Sequence, residues 1–323
     1  MSESRASPFQ PVGSFRLLRA LRRRDAAVRN EASAVVLRAA ALLRAGMPES
    51  RVWRMLGRET PESAVLAGIA DRIERGSPPA EALAAAGGPE WRMLAAAWGV
   101  AESSGAPIAP ALERFAISLQ SLDRLAERRK SLLAGPRATI RLVVALPPLA
   151  LLLGAGLGFD PLPVLLSPVG VVLAAGGTVL LALGAAWARS QVRRVAAADR
   201  AAGWAFELAW IALGGGGPPG EALRCVADRA DAARADWVRL PELREDGPVR
   251  ECLRAAESLG SPAGPLLLGA AETARARTQA GLEQEAERLA VRVLVPLGVC
   301  VLPAFVLLGV VPVLMAVLGG AGL

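Results

Sequence analysis

The 323-residue chain has no histidine and no tyrosine, and lysine occurs once, at Lys130. Without histidine there is no His-based triad, no imidazole ligand for zinc and no histidine ligand for haem. No Gly-x-x-x-x-Gly-Lys-Ser/Thr stretch occurs, so the phosphate cradle of the P-loop NTPases is missing. The glycine run Gly214–Gly217 is followed by Pro218-Pro219 and no lysine, and reads as a flexible helix stop. Cys225, Cys252 and Cys300 are the 3 cysteines and show no metal-ligand spacing, so they read as free structural thiols. No cofactor or metal is expected. Alternating apolar and polar residues, the mark of a half-buried strand, occur nowhere. The first residues hold no apolar core of a signal peptide, so no cleavable leader is expected and the first span would direct insertion.

Charge is also missing over long stretches. From Leu142 to Phe159, and again from Pro161 to Ala188, no residue is ionisable, and Asp160 alone separates the two runs. At about 1.5 Å per residue, each is long enough for a hydrocarbon core of roughly 30 Å. Ser167-Pro168 reads as an N-cap followed by proline at the first helical position, which starts the second span. A third uncharged run extends from Val293 to Leu323. The expected architecture is all-α, with three transmembrane helices and two polar helical bundles. Its parts are a basic N-terminal segment 1–29, a first cytoplasmic bundle 30–135 and a first span 136–159. A short external turn 160–167 and a second span 168–188 follow. A second cytoplasmic bundle 189–292, a third span 293–318 and an external tail 319–323 complete the chain.

Arginine sets the expected orientation. Arg137 and Arg141 precede the first span, Arg189, Arg193 and Arg194 follow the second, and Arg288 and Arg292 precede the third. Cytoplasmic flanks carry such excesses, so both bundles are placed in the cytoplasm and the C-terminus outside. The net charge of +7 is counted as topogenic, not as a nucleic-acid footprint, because it clusters at span ends without interleaved aromatics.

Within the first bundle, turn residues divide the chain into about six short helices. Gly46 and Pro48 end one helix and open the next, Thr60-Pro61-Glu62 reads as a cap with an acidic first turn, and Gly76 to Pro79 marks another break. The last helix carries Leu112, Phe115, Leu119, Leu122 and Ala126 in steps of three and four, a packing seam. Glu113, Arg114, Asp123, Arg124, Glu127 and Arg128 fill its other faces. Trp91, Trp98, Trp204 and Trp210 are expected in cores, and Trp187 at the membrane interface.

The second block repeats the first. Glu257-Ser258-Leu259-Gly260-Ser261-Pro262 matches Glu102-Ser103-Ser104-Gly105-Ala106-Pro107. At the same offset Pro265 answers Pro110, Leu267 answers Leu112, Pro303 answers Pro148 and Gly309 answers Gly154. The unit read from this is a bundle plus a span, used twice. Between Asp228 and Pro248 the second copy is irregular, as if helices were shortened or lost.

A bundle, a Glu-Ser-x-Gly turn and a long helix into a span, all duplicated, resembles the type II secretion system F-domain family. These are inner-membrane platform proteins of type II secretion, type IV pili and tight-adherence (Flp) pili. Ala101 and Ala256 stand where the family has glycine, and the second bundle lacks a match to Gly76–Leu83. Those departures, and the modest length, look more like the tight-adherence TadB/TadC branch. The resemblance implies a non-enzymatic scaffold that couples a cytoplasmic secretion or pilus ATPase to the insertion of pilin or pseudopilin subunits. A paralogous platform protein or a second copy of the chain, and membrane lipid, are the other implied partners; nucleic acid is not. Glu102, Gly105, Glu257 and Gly260 are the candidate residues. Each glutamate could satisfy backbone donors at a turn closed by a left-handed glycine, or contact a partner at the bundle rim. Two other readings are kept: a small oligomeric transporter or channel subunit, disfavoured by spans without charge, and a membrane enzyme, for which no residues cluster.

Overall fold

A computed structural model of the chain describes residues 32–60, 63–156, 167–196, 201–235, 240–312 and 314–315. The segment 1–29, the turn around Asp160 and the tail 319–323 lie outside the described residues. Among the described residues every regular element is helical. The chain divides into two compact units. One holds the residues up to Arg124 together with Ala201–Arg275, and the other holds Leu125–Arg200 with the residues from Ala276 onward.

In the first unit the leading helices are α1 (32–44), α2 (Glu49–Glu59), α3 (Ala64–Glu74), α4 (Pro79–Ala85) and α5 (Pro89–Ser104). Helix α6 (Ile108–Leu132) begins here and passes into the second unit. The expected cap at Thr60 is displaced. Ser63 caps α3 by accepting from the Leu66 N–H at 3.4 Å, while the Thr60 hydroxyl donates back to the Leu56 carbonyl at 3.2 Å and closes α2. A hydroxyl three residues before an N–H of the first turn is the usual capping distance, and Ser63, not Thr60, meets it for α3. From the second polar block come α9 (Trp204–Leu213), α10 (Pro219–Ala232), a 3₁₀ turn at Leu240–Leu243, α11 (Pro248–Leu259) and α12 (Ala263–Arg292). Where the first block places α3 and α4 before its turn, the second therefore has only the 3₁₀ turn.

The two blocks, read from sequence as separate bundles, contribute to a single apolar core. It joins Val36, Trp53, Leu94, Trp98 and Phe115 of the first block to Trp204, Leu208, Leu223 and Val249 of the second. Helix α9 explains why. It is apolar on every face except for Glu207, and a helix of that composition must be enclosed. It packs on α5 and α10, and α5 packs on α10 in turn. Trp53 and Trp98 meet at 5.6 Å, and the edge of one ring of Phe115 and Trp204 meets the face of the other at 5.2 Å. Each such pair adds about 1 kcal/mol beyond area burial. Trp91 is also buried, whereas Trp210 is only partly covered.

The second unit carries the apolar helices. Helix α7 (Ala134–Gly156) and α8 (Pro168–Ala196) are the first two candidate spans. Ser167 caps α8, its hydroxyl accepting from the Gly170 N–H at 3.0 Å. The third span, α13, starts at Leu294–Pro296 and contains π-helical turns at Leu297–Val301 and Val306–Val310 around Leu302–Phe305. Pro296 and Pro303 lack the N–H that regular pairing needs, and the ladder shifts by one residue beside them. Among the described residues three helices are thus long and apolar enough to cross a membrane. Gly170, Gly177 and Gly184, seven residues apart, lie buried on α8. A Cβ built on Gly177 would fall 2.6 Å from Leu308 Cγ, and one on Gly184 2.7 Å from Cys300 Cβ. Span three therefore lies in the notches that these glycines leave.

Candidate functional site: two turns and a buried ion cluster

The two Glu-Ser-x-Gly stretches form the same turn. Helix α5 ends at Ser104 and Gly105 adopts φ 73°, ψ 16°; α11 ends at Leu259 and Gly260 adopts φ 61°, ψ 24°. Only glycine takes this left-handed conformation without a steric penalty. In both turns the residue after the glycine bonds back across it. Ala106 N–H donates to Ala101 O at 2.9 Å, and Ser261 N–H donates to Ala256 O at 3.0 Å. Backbone groups thus close the turns. The carboxylates of Glu102 and Glu257, considered as possible partners of those backbone donors, are exposed and accept no hydrogen bond among the described residues. Ile108 and Ala263, which open the next helices, stand 155 residues apart. Arg128 and Glu283, separated by the same 155 residues, pair directly at 3.1 Å.

Each turn faces the start of another helix. Glu102 acts on Glu49 at the head of α2. Burial pushes the Glu49 carboxyl above its ordinary range, and the nearby Glu102 charge adds to this. Glu257 lines a cleft of about 250 Å³ with Pro219 at the head of α10, Glu245, Arg250 and Arg254. The Ser103 side of the first turn borders Cys225 of α10. The Cys225 thiol is raised, first by burial and in smaller part by Asp228, against the lowering pull of Arg229 and Ser103. A raised thiol is poorly nucleophilic, and all three cysteines are free.

Two features here were not legible in the sequence. The run Gly214–Gly217 is more than a stop: a Cβ on Gly215 would lie 1.8 Å from the Ser104 carbonyl oxygen. The loop after α9 is pressed against the first turn, and only a residue without a side chain fits. The second feature is Glu207, fully buried in α9. Arg114 of α6 donates from Nε at 3.2 Å and approaches with Nη2 at 3.1 Å, both to Oε1. Arg275 of α12 brings its Nη2 to 2.8 Å of the same oxygen, and the Ser118 hydroxyl donates to Oε2. Arg114, expected on an exposed face of α6, has a side chain only 15% exposed. Helices α6 and α12, the two that follow the turns, are both held by this one carboxylate. A lone acid in an otherwise apolar helix was the available signal.

Among the described residues no group of three or more Cys, Asp or Glu is placed to hold a metal ion. The turns present backbone-closed corners with exposed carboxylates, and the cluster beneath them fixes the helices that carry them. Residues 36–155 match the family model Type II secretion system (T2SS), protein F. The match begins in α1, takes in Glu102 and Gly105, and ends within the first span. It supports the F-domain resemblance over the first block, and with three candidate spans it supports a multi-pass membrane protein. No curated protein matches the chain.

Proposed function

We propose that the chain is a non-enzymatic inner-membrane platform of a type II secretion or type IV pilus machine, in the manner of the tight-adherence (Flp) branch. The extramembrane unit faces the cytoplasm and holds the assembly ATPase. The spans receive pilin or pseudopilin subunits as these enter the fibre, alongside a paralogous platform protein or a second copy of the chain. One observation carries this reading: an F-type domain over 36–155, followed by a second block that repeats its closing turn, long helix and span. We read that repetition as an internal duplication with one helical hairpin lost from the second copy. The shared core favours placing both blocks on one side of the membrane, and the arginine-rich span ends favour the cytoplasmic side.

Glu102 and Glu257, charged and without a hydrogen-bond partner in the described chain, are the proposed contacts, with Gly105 and Gly260 setting their presentation. The test is co-purification of the ATPase with full-length protein carrying Glu102→Arg and Glu257→Arg together. The expected result is loss of the ATPase with helical content unchanged. Retention of the ATPase by that variant contradicts the assigned contacts. Normal fibre assembly in cells that lack the protein contradicts the platform role.

A further inference from the structure

In the membrane-spanning unit three helices meet at one level. Leu133 and Ile140 on the path into α7, Ala188 and Val192 on α8, and Leu289 and Val293 at the end of α12 form a buried cluster. On the outward faces of the same turns stand Arg141, Arg189, Arg193, Arg194, Arg288 and Arg292, all exposed. Trp187, 47% exposed, adjoins them. Further into each span the exposed side chains are apolar, such as Leu142, Leu183 and Leu294. The arginines therefore encircle the packed helices where the polar chain gives way to the apolar one.

Among the described residues the collar is neutralised only in part, at Arg288 and Arg292. Among the described residues of this unit the acids are Glu127, Glu283, Glu285 and Glu287. Glu127 pairs with Lys130 and Glu283 with Arg128, while Glu285 lies 3.5 Å from Arg288 and 3.7 Å from Arg292. Arg141, Arg189, Arg193 and Arg194 have no carboxylate partner among the described residues.

We propose that this collar is a binding site for the headgroups of anionic phospholipids, with the lipid phosphodiester as the group recognised. A guanidinium fork matches two phosphate oxygens at once, which an ammonium does not. A tryptophan beside it sits where the headgroup region meets the acyl chains. Basic surfaces between spans at that depth attract anionic lipid, each arginine strengthening binding about fivefold. The inference rests on the spans alone and stands apart from the platform role.

The test is native mass spectrometry of the full-length protein released from bilayers of equal phosphatidylglycerol and phosphatidylcholine, with lipid affinity read from the retained adducts. Wild type is expected to retain phosphatidylglycerol preferentially. Substituting Arg189, Arg193 and Arg194 together by Gln should weaken that retention roughly a hundredfold. Substituting the same three by Lys, which returns the charge without the fork, should restore only part of it, and Gln at Arg51, Arg54 and Arg58 of α2 should leave it unchanged. Circular dichroism confirms that each variant is folded. Equal retention of the two lipids by wild type, or undiminished preference in the folded Gln variant, overturns the proposal. So does displacement of the lipid by millimolar inorganic phosphate, which would make the collar a site for the free anion.

Discussion

Glu207 is the residue on which most depends. Its carboxylate is removed from water entirely, and its attraction to Arg114 and Arg275 offsets a large desolvation penalty. Glu207→Ala leaves two arginines facing each other in a poorly solvated site, and should destabilise the protein by about 3–5 kcal/mol. Replacing all three residues together by Met, Leu and Met should recover most of that loss. Urea unfolding in detergent measures both, and a triple variant as unstable as the single one would show that the ions do more than satisfy each other. Gly215→Ala should cost about 1–3 kcal/mol, because the new methyl meets the Ser104 carbonyl, a backbone group that cannot rotate away. Glu49 gives a pH signature. Its folded carboxyl is raised above the unfolded value, so ionisation weakens the fold at neutral pH, and the penalty is relieved as pH falls through the raised value. Glu49→Gln should therefore raise the thermal midpoint at pH 7, and the gain should vanish below the ordinary carboxylate range. The gain is no more than about 1 kcal/mol, because solvent screens a half-buried acid. None of these environments follows from local sequence. Arg114 and Ser118, two of the three partners of Glu207, lie 93 and 89 residues away in the chain, and Gly215 looks like any turn glycine until Ser104 is beside it.

Elements were easier to read than residues. The spans announce themselves because lipid tolerates only a long run without charge, and Ser167-Pro168 marks the start of α8 because both residues favour a first turn. The turns at Gly105 and Gly260 were legible for the same local reason. The π-turns of the third span were not legible in this way. Its prolines were visible, but whether a proline kinks a helix or widens it to a π-turn depends on what packs beside it. Here α8 offers notches at Gly177 and Gly184, and Leu308 and Cys300 fill them. Gly177→Val should lower the temperature at which the detergent-solubilised protein loses helicity, and Leu308→Ala should restore at least half of the loss. Failure of that rescue would mean that the two helices do not meet there.

At the scale of the whole molecule, sequence periodicity told which face of each helix is buried but not against what. Both polar blocks looked self-sufficient, and the duplication encouraged that reading. What joins them is α9, too apolar to serve as the outer helix of its own block, and the single core that it shares with α5. The consequence for function is that neither block can be deleted cleanly, so the role of each is best probed by surface substitutions such as those at Glu102 and Glu257. A common core also requires the two blocks to share one side of the bilayer. The most direct test is thiol labelling of Ser50→Cys in the first block and Asp231→Cys in the second, each in a chain freed of its native cysteines. With a membrane-impermeant maleimide, both sites should stay unlabelled in intact spheroplasts and become labelled after permeabilisation. Labelling of either site in intact spheroplasts would contradict the account.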